Sequence, residues 1–160
     1  MKGTSSRSVE RVRQAATENG IEFELREFGE STRTAKEAAA ALGCEVAQIA
    51  KSLVFRGEES GDALLVIASG SNRVDEARLQ ALAGEPIGKA DAAFVRECTG
   101  FAIGGVPPLG HTRPLRAWVD EDLLRFDRVW AAAGAHNAVF ALDPRRLATL
   151  CDGEVAAVSQ

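Results

Sequence analysis

The segment Gly100–Gly110, GFAIGGVPPLG, combines residue types that can do chemistry without a reactive side chain. Gly104-Gly105 permits backbone angles and close approaches closed to other residues, while Pro107-Pro108 fixes two φ values and removes two N–H donors. A stiff loop of this kind presents bare N–H and C=O groups, and preorganised main-chain dipoles stabilise developing charge. The same composition also suits a tight chain reversal, so both readings stand. Lys51 lies between Ile49-Ala50 and the apolar run that begins at Leu53. It either snorkels to solvent from the start of a buried strand or supplies a fixed positive charge for a phosphate or an ester oxygen. Cys98 and His111 flank the glycine segment. They make a Cys–His nucleophile conceivable, against the more usual role of cysteine as a small core residue. His136, in GAHN, is either a turn residue or one that faces a ligand.

Other chemistries lack their tools. GxxxxGK[ST], GxGxxG and GxSxG are absent, and two histidines leave a serine triad little to work with. Three cysteines without a CxxC pair suggest neither a disulfide scaffold nor zinc, so no metal or cofactor is expected. The net charge of −4 argues against a long grip on nucleic acid, DNA included, because such affinity grows with the number of phosphates neutralised. A small local footprint remains open. Arg96, Arg113 and Arg116 make the surroundings of the glycine loop locally positive, as do Lys2, Arg7, Arg11 and Arg13 near the N-terminus. At 160 residues and 46% hydrophobic, the chain is read as one soluble domain. It has no apolar run of membrane-spanning length and no secretory signal, which places it in the cytoplasm.

These residues need elements to position them. Residues 1–8 read as a flexible tail and 9–160 as the domain. Ser8 caps a helix with Val9, Val12 and Ala16 on one face, and Asn19-Gly20 stops it. Ile21–Arg26 alternates as a half-buried strand. Thr34 and Glu37 form a capping box for an alanine-rich helix that ends at Gly43. A helical turn near Val46–Ala50 leads into a strand at Lys51–Arg56, which forms a hairpin with Ala63–Ala68. Asp75 and Asp91 start helices closed by Gly84 and Gly100. Strands follow at Leu115–Val119, Arg128–Ala132 and Ala138–Leu142. A Pro144-led helix then runs to Leu150, and a last strand lies near Glu154–Val158. The interleaving, with connections too short for helical crossovers, predicts an α/β (α+β type) fold: one curved, mixed, largely antiparallel sheet surrounded by helices.

Taken together, QIAKSLVF (Gln48–Phe55), the hairpin after it and TGFAIGGVPPLG (Thr99–Gly110) resemble the YbaK/EbsC-type aminoacyl-tRNA deacylases. These are relatives of the editing insertion domain of bacterial prolyl-tRNA synthetase. NGIEFELREF, RVDEARLQ, WVDEDLLRF and AGAHNAVFALDPRRL extend the resemblance over nearly the whole chain from about residue 9. It implies hydrolysis of the ester joining a wrongly attached amino acid to the 3′ end of tRNA, with neither metal nor covalent enzyme intermediate. Lys51 would contact the terminal adenosine or its phosphate, and the backbone around Gly104 and Gly105 would position the ester and the attacking water. Phe28, Thr34, Ile49, Thr99, Gly100, Val106, Pro107, Pro108, Gly110 and His136 would surround the substrate. Partners implied are the CCA end of aminoacyl-tRNA and an aminoacyl-tRNA synthetase. Proline at Pro107 replaces the serine of the cysteinyl-tRNA-specific branch, and Val139 stands near the place of that branch's aspartate, so cysteine is not assumed. An aminoacyl ester is already activated, and orientation with one cation suits that chemistry. A non-catalytic aminoacyl-tRNA or nucleotide-binding module of the same fold is the alternative.

Overall fold

Every residue of Ala63–Ser69 is buried, and the rest of the molecule is arranged around this strand. The computed structural model describes residues 3–29 and 34–160. In chain order the elements are α1 (Gly3–Glu18), β1 (Glu24–Glu27), α2 (Ala35–Leu42), β2 (Ile49–Gly57), β3 (Ala63–Ser69), α3 (Glu76–Ala83), β4 (Ile87–Lys89), α4 (Ala92–Thr99), β5 (Arg116–Asp120), β6 (Val129–Ala135), β7 (Ala138–Leu142), α5 (Leu147–Leu150) and β8 (Glu154–Ala156). The sheet runs β1-β7-β6-β2-β3-β5-β8, with β4 attached to β2. It is mixed: β2/β6, β3/β5 and β5/β8 are parallel, and the other four pairings are antiparallel.

The alternation of β3 explains its unbroken apolar run. Leu65 and Ile67 face one cluster with Val12, Phe101 and Phe140, while Leu64, Val66 and Ala68 face another with Leu79, Ala83 and Trp118. A strand covered on both faces has no polar side to show. The short helices start and stop as their sequences dictate. Thr34 and Glu37 make a reciprocal capping box on α2, Asp75 and Asp91 cap α3 and α4, and Gly43, Gly84 and Gly100 close these helices in the left-handed conformation.

Several elements differ from the sequence reading; β6, for example, runs on to Ala135 rather than ending at Ala132. Helix α1 begins at Gly3, so Ser8 lies inside it rather than capping it, and the segment read as a tail is largely helical. Val9, Val12 and Ala16 nevertheless form its buried face as expected. The first strand covers Glu24–Glu27 rather than Ile21–Arg26, because only that stretch finds hydrogen-bonding partners on β7. Strand β4 was not foreseen. Its three residues form by pairing with the far end of β2, and a segment that short has no period to read.

One feature of β2 positions the site. On one edge it pairs with β3 over most of its length. On the other edge it has two partners: β6 at Ile49 and Ala50, and β4 from Phe55 to Gly57. Between them β6 turns away, with Ala133 and Gly134 bulged out of its ladder with β7. The Ile49 carbonyl accepts from Gly70 N–H, so odd-numbered residues here direct their main-chain groups at β3. The N–H and C=O of Ser52 therefore face the gap, where the β6 ladder has already stopped.

Candidate functional site

A cavity of about 240 Å³ occupies this gap. Ile49 to Leu53 of β2 form one wall, and Trp130 and Ala132 of β6 with Val139 of β7 form the floor. Thr34, Ala35 and Ala38 at the start of α2 close one side, and Gly104, Val106 and His136 close the other. Six of the residues anticipated from sequence thus meet here: Thr34, Ile49, Lys51, Gly104, Val106 and His136. His136 comes with Asn137 from the two-residue connection between β6 and β7.

The remaining anticipated residues do not line the cavity. Phe28 packs behind it, against the cluster of Ala38, Ile49, Trp130 and Val139, and is fixed by hydrogen bonds in both directions between its backbone and Asn137. Thr99, Gly100, Gly105, Pro107, Pro108 and Gly110 build the loop instead of facing the ligand space. Gly105 is buried against β6, and a Cβ there would sit 2.8 Å from the Ala135 backbone. Gly104 has the opposite requirement. Its space is open toward His136, but its φ of +88° favours glycine. The pair of glycines thus serves two needs, close approach and backbone conformation.

The loop is pinned at several points. Thr99 Oγ1 donates to Val95 O and accepts from Phe101 N–H. His111 Nε2 lies 2.7 Å from the Pro107 carbonyl, which makes this nitrogen the donor. Burial holds the His111 ring below its ordinary pKa, although the Pro107 contact opposes this. From α1, the Arg11 guanidinium donates to Gly100 O at 3.0 Å and Gly110 O at 3.4 Å and stacks over Phe101. One side chain thereby ties both ends of the loop together. Nothing in the local sequence of either segment signals this long-range contact.

Lys51 is half-buried, and its Nζ donates to the Asn72 carbonyl at 2.7 Å. Burial lowers its pKa, and the Asp120 carboxylate works against that. An ammonium has three N–H donors, and among the described residues this one finds a single acceptor, so two donors are open to water or a ligand. Ser52 was missed by sequence reasoning. Its hydroxyl is buried without a hydrogen-bond partner among the described residues, although the residue lines the cavity. Such an atom is satisfied by a ligand or by water. A lone serine inside an apolar strand carries no signal in sequence.

Two further readings of the sequence meet the geometry here. Cys98 and His111 open onto different cavities, burial raises the Cys98 thiol, and the His111 nitrogen is committed to Pro107. No Cys–His nucleophile is formed, and Cys98→Ala should retain any activity of the cavity. Of the three arginines expected to draw in a polyanion, Arg113 and Arg116 have local partners. Arg116 is bound to Glu85 and to the Ala83 carbonyl, Arg113 lies 3.9 Å from Glu97, and both line a separate cavity beside Cys98. A larger cavity of about 340 Å³ beside β1 and β7 holds none of the anticipated residues, and its Arg146 is taken up by the Asn19 carbonyl. Among the described residues no group of His, Cys, Asp and Glu could hold a metal ion, and no helix is long and apolar enough to cross a membrane.

The cavity joins a split sheet edge, a glycine-built loop and a half-buried lysine, and comparison with known proteins gives the fold its class. Residues 29–150 match the aminoacyl-tRNA editing domain, and the chain belongs to that family. It is 35% identical over 141 residues to the uncharacterized protein YwhH of Bacillus subtilis, covering 88% of each chain. It is 24% identical over 135 residues to a candidate Cys-tRNA(Pro)/Cys-tRNA(Cys) deacylase, EbsC, of Enterococcus faecalis, covering 82% of this chain and 80% of that one. Among solved structures, a candidate trans-editing enzyme for prolyl-tRNA synthetase superposes with a TM-score of 0.89 at 49% identity, covering 96% of this chain and 97% of the other.

Proposed function

We propose that this protein is a trans-editing hydrolase that cleaves the ester of mischarged aminoacyl-tRNA with water, using neither metal nor covalent intermediate. The water oxygen adds to the ester carbonyl carbon, the carbon–oxygen bond to the terminal ribose breaks, and the ribose oxygen leaves with a proton. Free amino acid and intact tRNA result. Lys51 holds the terminal adenosine or its phosphate, while the main chain at Gly104 and Val106 shapes the places of the carbonyl oxygen and the water. The observation that carries this reading is the shared cavity, with Lys51 on one wall and Gly104 on another. An activated ester asks mainly for orientation and a fixed polar environment.

The dimensions bear on the substrate. Walls of Ala35, Ala38, Ala50 and Ala132 against Trp130 suit a small amino-acid side chain, with the rest of the tRNA outside. Only the CCA end enters, which is compatible with an acidic protein. The relatives named for tRNA deacylation and for prolyl-tRNA synthetase make a synthetase-linked, cytoplasmic role in translation the natural setting. Discrimination among small side chains is worth only about 1–3 kcal/mol per methylene, so several should be accepted.

The test is hydrolysis of tRNAs carrying alanine, cysteine, serine or threonine by wild type and Lys51→Ala. Wild type should cleave at least one faster than its spontaneous rate, and Lys51→Ala should lose most of that gain. If none is cleaved faster, the hydrolase reading fails, and tight binding of the same tRNAs would then identify a non-catalytic module.

A further inference from the structure

Asp120 is completely buried at the end of β5. Its carboxylate accepts from Ser69 N–H at 3.0 Å, from Asn72 Nδ2 at 2.8 Å and from Asp122 N–H at 2.9 Å. Among the described residues no cation touches it. A buried carboxylate without a countercharge in contact is costly, and acceptor bonds alone could be supplied by a neutral side chain. Asn72 uses its other amide hydrogen on Asp122 Oδ2 at 2.7 Å, so both donors of its side chain are spent on carboxylates. Its backbone carbonyl is, among the described residues, the one acceptor of Lys51.

We infer that Asp120 and Asn72 are positioning residues for Lys51. The Asn72 side chain bolts the connection after β3 to the buried carboxylate, which sets the Asn72 carbonyl where it takes one N–H of Lys51 and leaves the other two for the ligand. The negative charge of Asp120 supplies what an amide could not, a pull that keeps a half-buried amine charged. Other ionisable groups on the surrounding elements are Asp122 after β5, Arg73 beside Asn72, Glu37 on α2 and His136 across the cavity. The role rests on the proposed function, in which Lys51 meets the substrate.

The experiment follows Lys51 directly. With lysine labelled at 13Cε, the chain gives signals from Lys2, Lys36, Lys51 and Lys89, assigned by substitution. In wild type the Lys51 signal should titrate below the ordinary lysine range. In Asp120→Asn it should move down further, by about one pH unit, the usual scale for loss of one nearby opposite charge. An unchanged Lys51 titration in a folded Asp120→Asn overturns the inference, whatever the activity. If that variant does not fold, Asn72→Ala replaces it: the Lys51 titration should again fall, and an unchanged curve overturns the inference. Kinetics give a second reading. Asp120→Asn should lower kcat/KM about tenfold in wild type and have no effect in a Lys51→Ala background, whereas additive losses would mark a purely structural residue and overturn the role. Should wild type cleave no aminoacyl ester while the NMR shift is seen, the hydrolase reading falls and the positioning of Lys51 stands.

Discussion

The two walls of the cavity are fixed by different means. The loop wall is main chain, set by glycine and proline geometry and pinned by Thr99, His111 and Arg11. The lysine wall is a side chain, held at its tip by one carbonyl and at a distance by a buried carboxylate. The first is rigid because little else can be built there, and it fails when volume is added. The second is adjustable, and it fails when charge is removed. Substitutions on the loop wall should therefore act on geometry, and those on the lysine wall on titration.

The largest effect should come from Gly105→Val. A Cβ 2.8 Å from the Ala135 backbone cannot be accommodated by moving a flexible side chain, so the loop must shift. A displacement near 1 Å in a positioning loop costs on the order of a hundredfold in rate, measurable as kcat for ester hydrolysis with no change in its pH profile. A profile that shifted would break the comparison. On the other wall, Lys51 should be active only while protonated. Its pKa is lowered, so activity should be full at lower pH and should decline as pH rises through a value below that of ordinary lysine. Lys51→Arg should abolish that alkaline decline while keeping part of the rate, because arginine does not titrate in this range.

Arg11→Met tests whether the loop wall is held from outside. It removes two hydrogen bonds to carbonyls but keeps the apolar contact with Phe101, so stability should fall by about 1 kcal/mol in chemical denaturation. Amide exchange across 100–110 should quicken, with a several-fold loss of kcat. The smallest effect is on pH-dependent stability. His111 has a lowered folded pKa, so its unfolded form binds the proton more readily. Its contribution is complete above its unfolded value near 6.5 and is lost as pH falls from there toward the folded value. Thermal melts should show a shallower decline over that window in His111→Gln, which can still donate to Pro107.

The loop wall was legible in sequence because its cause is local. Gly104-Gly105 and Pro107-Pro108 announce restricted backbone within a few residues, and the capping box of Thr34 fixed one end of the cavity in the same way. The lysine wall was legible only as a residue. Lys51 stood out, but its partners Asn72 and Asp120 are 21 and 69 positions away and look like ordinary loop and cap residues. Arg11 was visible only as part of a basic patch, since its contacts span 89 and 99 positions. Ser52 gave no sign, because a gap in a sheet arises from how β6 and β4 share one edge of β2. The general fold was readable for a related reason: caps, turns and the Lys51–Ala68 hairpin are short-range, whereas the three-residue β4 exists only through its partner.

The Arg11 bridge has a practical consequence for anyone cutting this protein down. A fragment trimmed to residues 29–150 would keep Lys51, the glycines and every cavity-lining side chain, yet discard the helix that staples the loop shut and the β1 rim beside it. Such a piece would look complete on paper and work with a slackened cradle. The part matched to the family is therefore smaller than the part that holds the loop in place, and helix α1 belongs with the latter.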